Sequence, residues 1–85
     1  MACLPQTTAF VSVTRSSWHE GLIEGEVKAS SWVWSFRWCF QKGELQVDPS
    51  RGRALIREPL SRFLENSDYQ LEPGSNYSFT IRSQF

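Results

Sequence analysis

The sequence predicts an α+β domain: an antiparallel sheet of about five strands in the order β-β-β-β-α-β, with one amphipathic helix packed on one face. Three observations carry this. Apolar residues recur with period two through most of Thr8 to Asp48. The period lengthens to that of a helix between Arg53 and Asn66, and alternation returns from Tyr77 onward. Period two aligns side chains on the faces of a strand, whereas 100° per residue aligns them along a helix.

The first strand is expected over Thr8–Arg15, with Ala9, Val11 and Val13 on one face and Thr8, Phe10, Ser12 and Thr14 on the other. Ser16 to Gly21 reads as a loop in which Gly21 is free to take positive φ. Leu22–Ala29 follows as a half-buried strand, its small apolar face (Ile23, Gly25, Val27, Ala29) set against Leu22, Glu24, Glu26 and Lys28. A glycine inside a strand implies a bulge or a large neighbouring side chain lying across it.

After a short turn at Ala29-Ser30-Ser31 comes the strongest signal, a strand over Trp32–Phe40. Trp32, Trp34, Phe36, Trp38 and Phe40 share one face, and Val33, Ser35, Arg37, Cys39 and Gln41 the other. A helix would scatter those five rings around its circumference. Gln41-Lys42-Gly43 is expected to be a tight hairpin loop returning the chain through Glu44–Asp48, with Leu45 and Val47 inward.

From Arg53 to Asn66, the residues Leu55, Ile56, Leu60, Phe63 and Leu64 fall within one half of a helical circumference. Pro59 either kinks this helix or begins its stronger half, and one helical region spanning both is expected. Tyr69 and Leu71 suggest a short extended piece. Pro73-Gly74 supplies a turn, and Tyr77, Phe79, Ile81 and Phe85 mark a last strand.

Eighty-five residues bound the chain to one domain over 1–85, with 1–6 expected to be flexible. An aromatic content of 14 % with four Trp argues against disorder. Nine basic and nine acidic side chains cancel, removing the overall positive field on which general phosphate-backbone binding relies. The two cysteines, Cys3 and Cys39, are too few for a disulfide scaffold. The start of the chain lacks the basic and apolar pattern of a secretory signal, and no stretch approaches the roughly 20 apolar residues of a membrane span. A cytoplasmic protein with no membrane insertion is the expectation, and Asn76-Tyr77-Ser78 then matches the glycosylation sequon by accident.

Gly52-Arg53-Ala54-Leu55-Ile56-Arg57-Glu58, with Tyr69-Gln70-Leu71-Glu72-Pro73-Gly74 and Tyr77-Ser78-Phe79-Thr80, resembles a family of small cyanobacterial proteins of unknown function. The resemblance covers nearly the whole chain. It implies a cytoplasmic, cyanobacterial setting and carries over no catalytic, cofactor or binding residue.

Candidate chemistry begins with the aromatic row. A nine-residue strand is roughly 30 Å long, a helix about 10 Å wide and a five-stranded sheet about 20 Å wide. One helix covers such a sheet only if the sheet curls around it. Otherwise the end rings, Trp32 and Phe40, line a groove that Trp18 from the preceding loop joins. The middle rings, Trp34, Phe36 and Trp38, are expected in the core. An aromatic groove suits another protein first, because Trp and Tyr bury much area with little rotamer loss. Stacking of single-stranded nucleic acid, assisted by Arg37 or the helix arginines, ranks lower given the neutral charge.

The second candidate is Arg51, Arg53 and Arg57 near the helix start, an anion or acidic-partner site beside free helix amides. Its plain alternative is a solvated helix face, on which Glu58 and Arg62 form an i,i+4 pair. The third is His19 with Glu20 and Glu24 as a metal or acid/base site; a lone histidine among scattered carboxylates is weak support. Cys39 lacks a partner in the sequence, and no serine has nucleophile-elbow context. The expectation is therefore a non-enzymatic binding module with no cofactor and no metal. Its binding residues are Trp18, Trp32, Phe40, Arg51, Arg53 and Arg57.

Overall fold

The computed structural model describes residues 6–48, 53–67 and 70–82. The chain forms β1 (Gln6–Ser17), β2 (Leu22–Ala29), β3 (Trp32–Cys39), β4 (Glu44–Asp48), α1 (Arg53–Asn66) and β5 (Asn76–Arg82). These build one five-stranded sheet in the order β4-β3-β2-β1-β5, antiparallel throughout. The first four strands are a meander, and α1 carries the chain from the β4 edge back to the opposite edge, where β5 pairs with β1.

Register explains why the aromatic row fits. Trp34 lies opposite Val27, Phe36 opposite Gly25 and Trp38 opposite Ile23, so each large ring of β3 meets a smaller residue of β2. Gly25 is required by close approach from both sides. A Cβ there would lie 2.2 Å from the Ser12 carbonyl oxygen and 2.9 Å from the Phe36 ring. The bulge sits in the neighbouring strand: the β1–β2 register slips between Val13 and Arg15, leaving Thr14 as the extra residue. Its hydroxyl donates to the Glu24 carbonyl at 3.2 Å. A bulge of this kind increases local twist and bends the strand.

That curvature settles how one helix covers the sheet. The backbone of α1 approaches the two edge strands, β4 and β5, so the sheet curls around it and the aromatic face becomes the concave, core-facing side. Ile56, Leu60 and Leu64 are buried against Trp34, Phe36, Trp38, Val11, Val27 and their neighbours. Phe63 reaches the β5 side, with its ring centroid 5.3 Å from Phe79 and 6.2 Å from Tyr77.

Several boundaries differ from the sequence expectation. β1 begins at Gln6, within the stretch expected to be flexible (residues 1–5 lie outside the described residues), and runs on to Ser17 because Ser16 and Ser17 pair with Ile23 and Leu22. β3 ends at Cys39 and Phe40 enters the turn, its N–H bonded to the Gly21 carbonyl at 2.9 Å. Leu55, grouped with the apolar stripe, is 44 % exposed at its margin. Leu71 is buried without belonging to a strand; Tyr69 and Phe85 fall outside the described residues. Pro59 lies inside a continuous helix, where it has no N–H to give the Leu55 carbonyl. Gly43 and Gly74 take the left-handed conformation their turns require, at φ 68° and 83°.

Candidate functional site

The outer, convex face of the sheet is mostly polar, as the alternation dictates, and its ion pairs gather at one end. Arg15 bonds Glu20 at 3.0 Å and lies 3.7 Å from Glu24, which in turn holds Arg37 at 3.2 Å. The residues come from β1, the β1–β2 turn, β2 and β3. Being largely exposed, each pair contributes about 1 kcal/mol or less; Arg15–Glu20 ties the turn from Trp18 to Gly21 to β1, while the other two pairs join β1, β2 and β3. Ser17 adds to this by accepting the Glu20 N–H on its hydroxyl at 3.3 Å, and Gly21 closes the turn at φ 67°. The Gln41 side chain packs on Gly21 so closely that a Cβ there would lie 2.4 Å from its Cγ.

This scaffold presents Trp18. Its ring is 59 % exposed, yet it rests on Phe40 with centroids 5.3 Å apart and planes tilted by 60°. Phe40 is half-buried against the core. The sequence expectation that Trp18 joins a terminal ring of the row therefore holds at one end of β3.

At the other end Trp32 stacks on Trp34, with centroids 6.2 Å apart and planes 19° apart, and it too is half-buried. Eight residues of strand, about 26 Å, separate it from Phe40. Trp34, Phe36 and Trp38 are buried between the curled sheet and α1, as expected, and the two end rings lie at separated corners rather than lining one groove.

Arg51 and the side chain of Arg53 are outside the described residues, and Arg57 is exposed. Arg57 borders a shallow depression of about 670 Å³ whose polar walls include Glu24, Glu26, Arg37, Gln46 and Asp48. With Glu24, Glu26 and Asp48 lining it beside Arg37 and Arg57, the depression has no uniform positive field to hold an anion. The expected Glu58–Arg62 pair is present on the helix.

His19 is exposed in the Trp18 turn, and Cys39 is a half-buried free thiol. Among the described residues no group of three or more His, Cys, Asp or Glu side chains is arranged to hold a metal ion. No helix among them is long and apolar enough to cross a membrane. Sequence reasoning passed over the Arg15–Glu24–Arg37 network. Its signal is cross-strand pairing, which depends on the bulge at Thr14 and so stays invisible until the register is known.

Fold and site together define a small α+β domain in which one antiparallel sheet wraps a single helix and one tryptophan stands out at a turn. Over residues 5–84 the chain matches the family described as Protein of unknown function (DUF3146), and it belongs to that family. No curated protein matches the chain, and no solved structure does.

Proposed function

We infer that this is a non-enzymatic binding module that engages another protein through the Trp18–Phe40 corner. The observation that carries the reading is an exposed indole held on a rigid platform. Trp18 is 59 % exposed while its neighbours are fixed by ion pairs, a backbone bond to Phe40 and a close-packed Gly21. Such a ring loses little conformational entropy on docking, which is why Trp dominates interface hot spots. Charges of both signs surround it, with Arg15 and Glu20 beside the turn, as in a polar rim around an aromatic anchor.

A protein partner is favoured over single-stranded nucleic acid because base stacking along a strand needs several accessible rings. Here the middle rings of the row are covered by α1. The setting proposed for this module is the cytoplasm of a cyanobacterium, on the family resemblance and the unpaired Cys39 thiol.

Capture of cellular proteins on immobilised wild-type chain, Trp18→Ala and Lys28→Ala, an exposed residue at the far end of β2, tests the reading. A protein retained by wild type and Lys28→Ala but lost with Trp18→Ala is the expected result. Equal retention by all three chains would overturn the assignment of the corner. Salt-sensitive binding of oligonucleotides that is lost with Trp18→Ala would replace the protein partner by nucleic acid.

A further inference from the structure

Among the described residues the sheet is open, with β4 and β5 as two unlike edges. β4 is five residues long and carries Glu44 and Asp48, both exposed, on its solvent side. Short length and charge are the means by which edge strands avoid pairing with other chains. β5 is longer, and its one charged residue, Arg82, falls at its last position. Its seven residues, Asn76-Tyr77-Ser78-Phe79-Thr80-Ile81-Arg82, contain no acidic residue, no Lys, no Pro and no bulge, and their only backbone pairing among the described residues is with β1. The groove of about 280 Å³ alongside, between this edge and α1, is lined by Leu55, Glu58, Pro59, Arg62, Thr80 and Ile81.

We propose that β5 is the interface for a second copy of this chain, joining two sheets edge to edge into one continuous ten-stranded antiparallel sheet. The edge is complementary to itself. A two-fold axis perpendicular to the sheet at Phe79 uses the full strand, placing Asn76 opposite Arg82, Tyr77 opposite Ile81 and Ser78 opposite Thr80 of the other copy. No like charges meet, and inward residues face inward residues, as opposed residues in an antiparallel pair must. The same axis brings both helices to one side of the joined sheet, so the grooves beside β5, with the 44 % exposed Leu55 at their margin, face each other. Glu58 and Arg62 make that rim neutral. Pairing β5 with β4 of another copy would instead leave edges free and propagate without closing, whereas the two-fold arrangement closes at the dimer.

The test is the mass of the chain in solution across a wide concentration range, by sedimentation equilibrium. Wild type is expected to dimerise. Ser78 and Thr80 are exposed on the outer face, so Ser78→Lys with Thr80→Lys sets lysine against lysine twice across the axis. That variant is expected to dissociate at least tenfold more readily while keeping wild-type far-ultraviolet circular dichroism. Ser78→Lys with Thr80→Glu has the same number of changes but sets opposite charges together, and it is expected to remain dimeric. The two variants separate an interface effect from a folding defect. A wild-type chain that is monomeric throughout, or a dimer equally tolerant of both variants, would overturn the proposal. The Trp18→Ala variant is expected to dimerise like wild type, so this interface and the Trp18 contact stand or fall separately.

Discussion

Replacing Gly25 by alanine adds one methyl group where the β1 backbone and a β3 ring both press on β2. The new Cβ would lie 2.2 Å from the Ser12 carbonyl oxygen and 2.9 Å from the Phe36 ring. The first distance is more than about 1 Å inside the separation at which van der Waals contacts become favourable. The ring can shift; the carbonyl belongs to the β1 backbone and moves only if β1 and β2 part. Overpacking of a well-filled core costs typically about 1–3 kcal/mol, and a backbone clash places Gly25→Ala at the upper end. Alanine regains about 0.5–1 kcal/mol through reduced chain entropy, leaving a net loss of about 2 kcal/mol. The whole chain has about 4–13 kcal/mol of stability on a per-residue scale. With a urea slope near 1 kcal/mol/M, the unfolding midpoint should fall by about 2 M. Urea titration followed by tryptophan fluorescence reads this directly. Adding Phe36→Leu should restore little, since the carbonyl contact remains. A midpoint within about 0.5 M of wild type, or full rescue by Phe36→Leu, would refute the view that the strand spacing demands glycine.

Gly43→Ala is expected to cost about 1 kcal/mol, because its Cβ meets open space and only the left-handed φ of 68° is strained; a urea midpoint would show it. Leu60→Ala should cost about 2–5 kcal/mol in thermal unfolding, as Leu60 is wholly buried beneath the sheet. Trp38→Phe should change stability by about 1 kcal/mol or less. It gives up buried area but removes an indole N–H that is buried with no hydrogen-bond partner. Pro59→Ala should raise the melting temperature by restoring a helix donor to the Leu55 carbonyl, with a gain of about 1 kcal/mol or more.

The sequence was most legible where one periodicity ran without interruption. β2, β4 and α1 lie at their expected bounds, and the ring row of β3 faces one way as alternation required. Gly21 takes the expected positive φ, and Gly43 and Gly74 lie in the turns expected of them. What it could not reveal depends on contacts between distant residues. The length of β1 is set by pairing with β2, and the position of the bulge shifts the register of that pairing. Curvature decides whether one helix can cover five strands, and no local pattern reports it.

The site was legible in part for the same reason. Trp18 and Phe40 were expected to meet and do. Trp32 was expected in the same groove, but it stands at the other end of β3, stacked on Trp34. Of the three arginines named beside them, only the side chain of Arg57 is described, exposed and among carboxylates of the polar depression. The ion-pair network beside the Trp18 turn spans three strands and that turn, so its members carry no spacing by which they could be recognised in the chain.

The central claim is that folding buries the middle rings of the aromatic row as core and leaves Trp18 as the exposed tryptophan. Hydrogen–deuterium exchange of the four indole N–H groups, followed by NMR, tests it most directly. Trp18 should lose its proton at once, while Trp34 and Trp38, at 0 % and 2 % exposure, keep theirs until the domain opens. Protection of Trp18 in the protein without a partner, or exchange of Trp34 and Trp38 at the Trp18 rate, would contradict the account.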